Sequence, residues 1–231
     1  MNTLNNGKVA ELLTRLHQDA EVADAPFIDQ IMADLEASGT TLEQAAAQLI
    51  ADERADYRKI YGDHAEHFLS VTPAYGRFLY AMARVCKAER IVEFGTSMGL
   101  STLYLAAALR DNGGGQLIGS ELEPAKIARA RSHLEAAGLA DLVEIREGDA
   151  LDTLTDVGGE VDLALLDGAW SLYLPVLKLL EPRLHTGAVV LAENAFATEF
   201  LDYVRDPANG YIAQPLAIDE GRGNEFAVRA S

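Results

Sequence analysis

Hydrophobic positions recur at helical spacing from residue 1 to about residue 60. Val9, Leu12, Leu13 and Leu16 share one face, and Phe27, Ile28, Ile31, Met32 and Leu35 form a second stripe. Thr41 then stands as a cap before a third, Ala-rich stretch. Stripes of this kind ordinarily serve as core or subunit contacts. The spacing therefore predicts an N-terminal helical segment over 1–65, acting as a cap or in dimer contacts, ahead of a main domain over 66–231.

From residue 88 the pattern changes. Short β-rich runs alternate with helical ones, the signature of a parallel sheet with crossover helices. The runs predict strands at 90–94, 116–120, 143–147, 161–166 and 188–192, followed by helices starting near Leu100, Pro124, Ala150, Tyr173 and Phe196. Segments 211–218 and 225–229, joined through Gly221 and Gly223, read as a closing β-hairpin. The fold class that follows is α/β.

Composition narrows the picture. A chain of 231 residues with 49% hydrophobic positions can bury a large core. A formal net charge of -17 disfavours nucleic acid, because phosphate binding needs clustered Lys and Arg, and it repels anionic membrane surfaces. A small molecule suits it better as a partner. No apolar run approaches the roughly 20 residues of a membrane span, and the start MNTLNNGKVAELL lacks an export pattern, so a cytoplasmic protein is the expectation. Cys86 stands alone and reads as core packing.

Ligands of open α/β sheets bind beyond the carboxyl ends of the strands, so the residues ending each strand carry the chemistry. The first strand runs into Glu93-Phe94-Gly95-Thr96-Ser97-Met98-Gly99. Its glycines let backbone approach a ligand, and the next helix offers free N–H groups to a carboxylate, with the Ser101 hydroxyl in its first turn. Glu93 suits an ammonium group. Ser97 and Leu100 occupy the second and third glycine positions of the dinucleotide pattern G-x-G-x-x-G, which demotes an NAD-dependent dehydrogenase. Glu121, 26 residues after Gly95, ends the second strand, where a carboxylate accepts from both hydroxyls of a ribose. Asp149, followed by Ala150, ends the third, placed for an adenine amino group or as an N-cap.

With these residues in order, VEFGTSMG, GSELEP, EGDA, LALLDG and VVLAEN resemble the catechol and caffeoyl-CoA type of class I S-adenosylmethionine-dependent O-methyltransferases. The resemblance covers about 66–230. It implies a Rossmann-like seven-stranded sheet with the last strand antiparallel and helices on both faces, S-adenosyl-L-methionine as cofactor, a small phenolic or polyketide-like acceptor, and a homodimer. It also implies that Val71 contributes backbone to the methionine moiety while Ser101 holds its carboxylate. Cofactor residues on this reading are Val71, Glu93, Gly95, Ser101, Glu121, Asp149, Ala150 and Asp167.

Asp167 ends the fourth strand and Glu193-Asn194 the fifth. All three are oxygen donors, the set a hard divalent cation such as Mg²⁺ prefers. The resembled family has Asp, Asp and Asn there, so Glu193 is one methylene longer. Where the family has a lysine base, three residues past Asp167, this chain has Trp170, and an indole takes no proton. His67 then stands as a candidate base with Asp167 as the other catalytic residue, since imidazole titrates near 6.5. His64 and His67 share a helix face but lack a third zinc ligand. His185 is expected to cap a helix end. The missing lysine leaves open a protein that binds the cofactor without transferring methyl.

Overall fold

A computed structural model describes residues 2–219 and 223–231, so Gly221 of the expected hairpin turn lies outside the described residues. Helix α1 (Gly7–Ser38) starts at Asn6, whose side chain accepts from the Lys8 N–H, and ends at Gly39 in the left-handed region. The two expected N-terminal stripes lie on this one helix. Val9, Leu12, Leu13 and Leu16 are buried, but Ile28, Ile31 and Met32 are 46%, 41% and 50% exposed, so the second stripe is not core. Helix α2 (Leu42–Asp63) opens with Thr41 and Gln44 satisfying each other's backbone N–H groups, which leaves neither donor bare. It breaks at Asp56 (φ -163°, ψ 75°). The Asp56 carboxylate accepts from the Lys59 N–H and so caps the turn that follows. Helix α3 (Pro73–Val85) is capped by Thr72.

The remaining elements alternate: β1 (Arg90–Phe94), α4 (Leu100–Asn112), β2 (Gln116–Glu121), α5 (Pro124–Ala137), β3 (Val143–Glu147), α6 (Ala150–Thr153), β4 (Val161–Leu166), α7 (Tyr173–Leu180), β5 (Leu184–Ala192), α8 (Thr198–Arg205), β6 (Tyr211–Pro215) and β7 (Glu225–Arg229). They form a seven-stranded sheet in the order β3-β2-β1-β4-β5-β7-β6. Strands β1 to β5 are parallel, and β7 runs antiparallel between β5 and β6. The α/β class is thus as the strand and helix pattern predicts, and the seven strands with an antiparallel last one are as the resemblance implies.

Two apolar layers cover the sheet, which is why its central strands read as nearly unbroken hydrophobic runs. On one face Leu79, Leu103, Leu105 and Ile127 pack with Ile91 and with the buried stripe of α1. On the other, Ile50 of α2 joins Val92, Phe94, Tyr173, Val176 and Phe200. Helix α4 is buried from Leu100 through Leu109, so it shows no polar face.

Strand β5 starts at Leu184, earlier than expected, because Leu184 pairs with Val161. His185 therefore lies in a strand and not at a helix end. Its Nε2 meets Asp162 Oδ1 at 3.0 Å. Strand β6 stops at Pro215, which has no N–H to continue a ladder.

Candidate active site

Register sets the site. Phe94 pairs with both Ser120 and Leu166, Leu166 with Ala192, and Glu121 with Glu147, so five parallel strands end level along one edge. The loops leaving them are drawn together there. Gly95 (φ 92°) passes so close to the next loop that a Cβ would lie 2.2 Å from the Asp167 carbonyl oxygen. Its N–H and that of Thr96 both donate to the Ser120 carbonyl, at 3.1 and 3.2 Å. Ser97 also has positive φ. Its N–H donates to Glu121 Oε2 at 2.6 Å, and its hydroxyl to the Phe68 carbonyl at 2.7 Å. Helix α4 then begins at Gly99 with no side-chain cap, which leaves its first N–H groups for a ligand.

Glu121 Oε1 accepts from the N–H groups of Leu122 and Glu123 at 2.8 and 2.9 Å. Its carboxylate is therefore anchored by backbone on three sides while it lines the cleft. Asp149 caps α6 by accepting from the Leu151 N–H at 2.9 Å. Its Oδ2 accepts from the Tyr57 hydroxyl and, at 2.6 Å, from Arg58. Burial pushes the Asp149 pKa up, but the hydrogen bonds from Tyr57, Arg58 and Leu151 and the charge of Arg58 outweigh it and hold the group below its ordinary value.

Gly95, Ser97, Glu121, Asp149, Ala150 and Asp167 line one cleft. Val71 and Ser101 line an adjoining recess that shares Leu69, Gly95, Ser97 and Asp167 with it. Tyr57 and Tyr61 of α2, with Lys126 of α5, complete the wall of the main cleft. Burial, opposed by nearby carboxylates that include Glu121, lowers the Lys126 pKa.

Four expected residues, Glu93, His67, Glu193 and Asn194, line neither space. Glu93, assigned to an ammonium group, is fully buried beneath the glycine loop and lines neither space. Thr96 and Thr102 donate to its Oε2 at 3.1 and 2.6 Å. Burial raises its pKa to about 7, against the hydroxyls of Thr102, Ser101 and Thr96. It supports the loop from below because its side chain falls on the covered side of the strand. His67, the candidate base, stacks on Phe27 at 4.5 Å and faces Asp24 at 3.4 Å. It is held against α1 and lines neither space, which removes it as the base.

Asp167 and Glu193 follow adjacent strands, their N–H groups donating to Phe94 and Leu166 carbonyls at 2.9 and 3.0 Å. The Asn194 amide donates to the Glu193 carboxylate. Tyr173 donates to the Glu193 carbonyl at 2.5 Å. Tyr75 is buried with a hydroxyl that has no hydrogen-bond partner among the described residues. Burial, then the charges of Glu193 and Asp167, push the Tyr75 phenol well above its ordinary value. The carboxylates of Asp167 and Glu193 thus both act on one buried phenol at the β4 and β5 ends, while the Asn194 amide presents its NH2 group to Glu193; among the described residues no cluster of three or more His, Cys, Asp or Glu side chains is placed to hold a metal ion. Trp170 meets Phe196 edge-on at 5.0 Å and walls a separate groove against α2.

Sequence reasoning missed Tyr57, Arg58 and Tyr61. The i, i+4 spacing of Tyr57 and Tyr61 announces a helix face, but no local signal says which strand ends that face covers.

An open sheet of this order, with a glycine loop and acidic strand ends on one cleft, defines a Rossmann-like methyltransferase fold. Residues 92–195 match the family model described as a methyltransferase domain. The chain is 34% identical over 130 residues to a catechol O-methyltransferase of Niastella koreensis, covering 54% of this chain and 58% of that protein. It is 33% identical over 150 residues to that of Mycobacterium tuberculosis, covering 64% and 63%. The chain thus spans about three fifths of the length of these curated relatives. Among solved structures it resembles the O-methyltransferase TomG from Streptomyces achromogenes in complex with SAM (TM-score 0.64, 26% identity, 71% of this chain and 82% of that one). It also resembles a cofactor-bound protein from MTB (TM-score 0.66, 26% identity, 87% and 96%). Residues 92–195 thus match a methyltransferase domain, and the chain is similar over part of its length to catechol O-methyltransferases.

Proposed function

We propose that this chain is an S-adenosylmethionine-dependent O-methyltransferase acting on a hydroxyl of a small phenolic or polyketide-like molecule. The observation that carries the reading is the convergence of the Gly95–Ser97 loop, Glu121, Asp149 and Asp167 on one cleft. When bound, the cofactor supplies an electrophilic methyl group on a sulfonium. Glu121, with one acceptor position left on Oε2, would take a ribose hydroxyl, Asp149 and Ala150 the adenine, and Val71, Gly95, Ser101 and Asp167 the amino-acid end. Methyl transfer is an in-line displacement that depends mainly on positioning, so rigid strand ends suit it.

Asp167, Glu193 and Asn194 would hold a divalent cation, which supplies acidification of an acceptor hydroxyl. That route compensates for Trp170 in the lysine position. Segment 1–65 serves as the cap of the cleft. The chain works in the cytoplasm as a homodimer on this reading, and the exposed apolar stripe of α1 offers a face for that contact. Among the described residues no helix is long and apolar enough to cross a membrane.

Calorimetric titration with S-adenosylhomocysteine, followed by mass spectrometry of reactions with catechols, flavonols and polyketide phenols, tests the proposal. Absence of binding at millimolar ligand removes it. Tight binding with no methylated product favours the second reading, a cofactor-binding protein without transfer, which Trp170 motivates.

A further inference from the structure

We infer that the N-terminal segment is part of the cofactor site: Tyr57 and Arg58 form a clasp that holds Asp149 in place for an exocyclic amino group and closes that end of the cleft. This rests on reading the cleft as an adenosyl site.

The clasp begins with the break in α2. At Asp56 the backbone leaves the helical region, and the Asp56 side chain restarts the helix by capping Lys59. The last turns are thereby redirected toward the strand ends, with Tyr57 and Tyr61 both on the cleft. This segment is pinned at two points. Glu53, fully buried, accepts from the Tyr61 hydroxyl at 2.8 Å and from the Ser171 N–H at 2.7 Å, tying α2 to the loop after β4. Tyr57 and Arg58 tie it to Asp149 at the end of β3. A buried carboxylate is stable only where donors satisfy it, so Glu53 makes the placement of α2 specific.

A carboxylate oxygen accepts about two hydrogen bonds. Oδ2 of Asp149 already takes Tyr57 and Arg58, while Oδ1 takes only the Leu151 N–H. One acceptor position remains, on Oδ1, fixed in direction by the other three bonds. It suits a single N–H of an adenine amino group. A purine with a carbonyl at that position would turn an oxygen toward a carboxylate and be rejected. Freed of the clasp, Asp149 can rotate away, and the rejection weakens.

The experiment is calorimetric titration of the full chain with S-adenosylhomocysteine and with S-inosylhomocysteine, in the wild type, Tyr57→Phe, Arg58→Ala and the double variant. Phe keeps the ring that walls the cleft, and Arg58 is largely exposed, so both should fold, which a thermal melt checks. The wild type should prefer the adenosyl ligand, and that preference should shrink about tenfold in the double variant, since hydrogen bonds to a charged group are lost. Amide exchange over 57–63 should slow on ligand binding in the wild type and much less in the double variant. An unchanged preference, or a tighter fit of both ligands when the clasp is removed, overturns the inference while leaving the cofactor reading intact. Failure of the wild type to bind S-adenosylhomocysteine overturns that reading itself and the clasp with it.

Discussion

Replacing Glu93 by Gln probes the buried carboxyl under the glycine loop. Burial displaces its pKa from 4.5 to about 7, the hydroxyls of Thr102, Ser101 and Thr96 opposing the rise and the charge of Glu121 adding to it. The folded state therefore binds this proton more tightly than the unfolded chain does. Its contribution to stability is fully present below pH 4.5, falls through the window up to about pH 7 and is gone above it. A displacement of that size corresponds to roughly 3 kcal/mol, or a melting shift of roughly 10 °C in a chain of this length. Gln keeps the shape and an acceptor for Thr102 but cannot ionise. Urea unfolding of both proteins between pH 4.5 and 8.5 should show the variant gaining on the wild type by roughly 3 kcal/mol across the window. Parallel stability curves would refute the argument, since they mean that Glu93 titrates alike in both states.

Glu121→Ala should weaken S-adenosylhomocysteine by at least about tenfold in calorimetry, because the ribose loses a charged acceptor. An unchanged affinity removes Glu121 from the site. Gly95→Ala forces a Cβ to within 2.2 Å of the Asp167 carbonyl at a φ of 92°. A loss of about 1–3 kcal/mol is expected, read as a lower melting temperature, and an unaltered melt contradicts the close approach of the two loops. Chelation should lower turnover and added Mg²⁺ restore it, whereas full activity in excess chelator excludes the proposed cation role of Asp167, Glu193 and Asn194.

Much of the scaffold was legible because it is written in local patterns. The strands over 90–94, 143–147 and 161–166 match the observed elements, since a β-rich run between helical stretches has few other ways to bury itself. The glycine loop was legible for a related reason. Gly95 is demanded by a positive φ and a close approach, and both leave a residue-level trace. Even the cap at Thr41 follows from neighbours three residues apart.

What failed to be legible depends on contacts between distant segments. Periodicity marks the stripe of Ile28, Ile31 and Met32, yet it cannot say that the helix runs past the body of the fold and leaves them exposed. His185 sits in a strand because Leu184 finds Val161, a pairing made by β4. The sequence by itself determined the α/β sheet, the order of its acidic strand ends and their common edge, because strand periodicity and the handedness of parallel crossovers are encoded locally. Only the tertiary structure decided that Glu93 lies beneath the loop, that His67 turns to α1, and that Tyr57 and Arg58 return over Asp149. Those outcomes turn on which side of a strand is covered and which buried donor meets which acceptor, and both are set by packing between segments far apart in the chain.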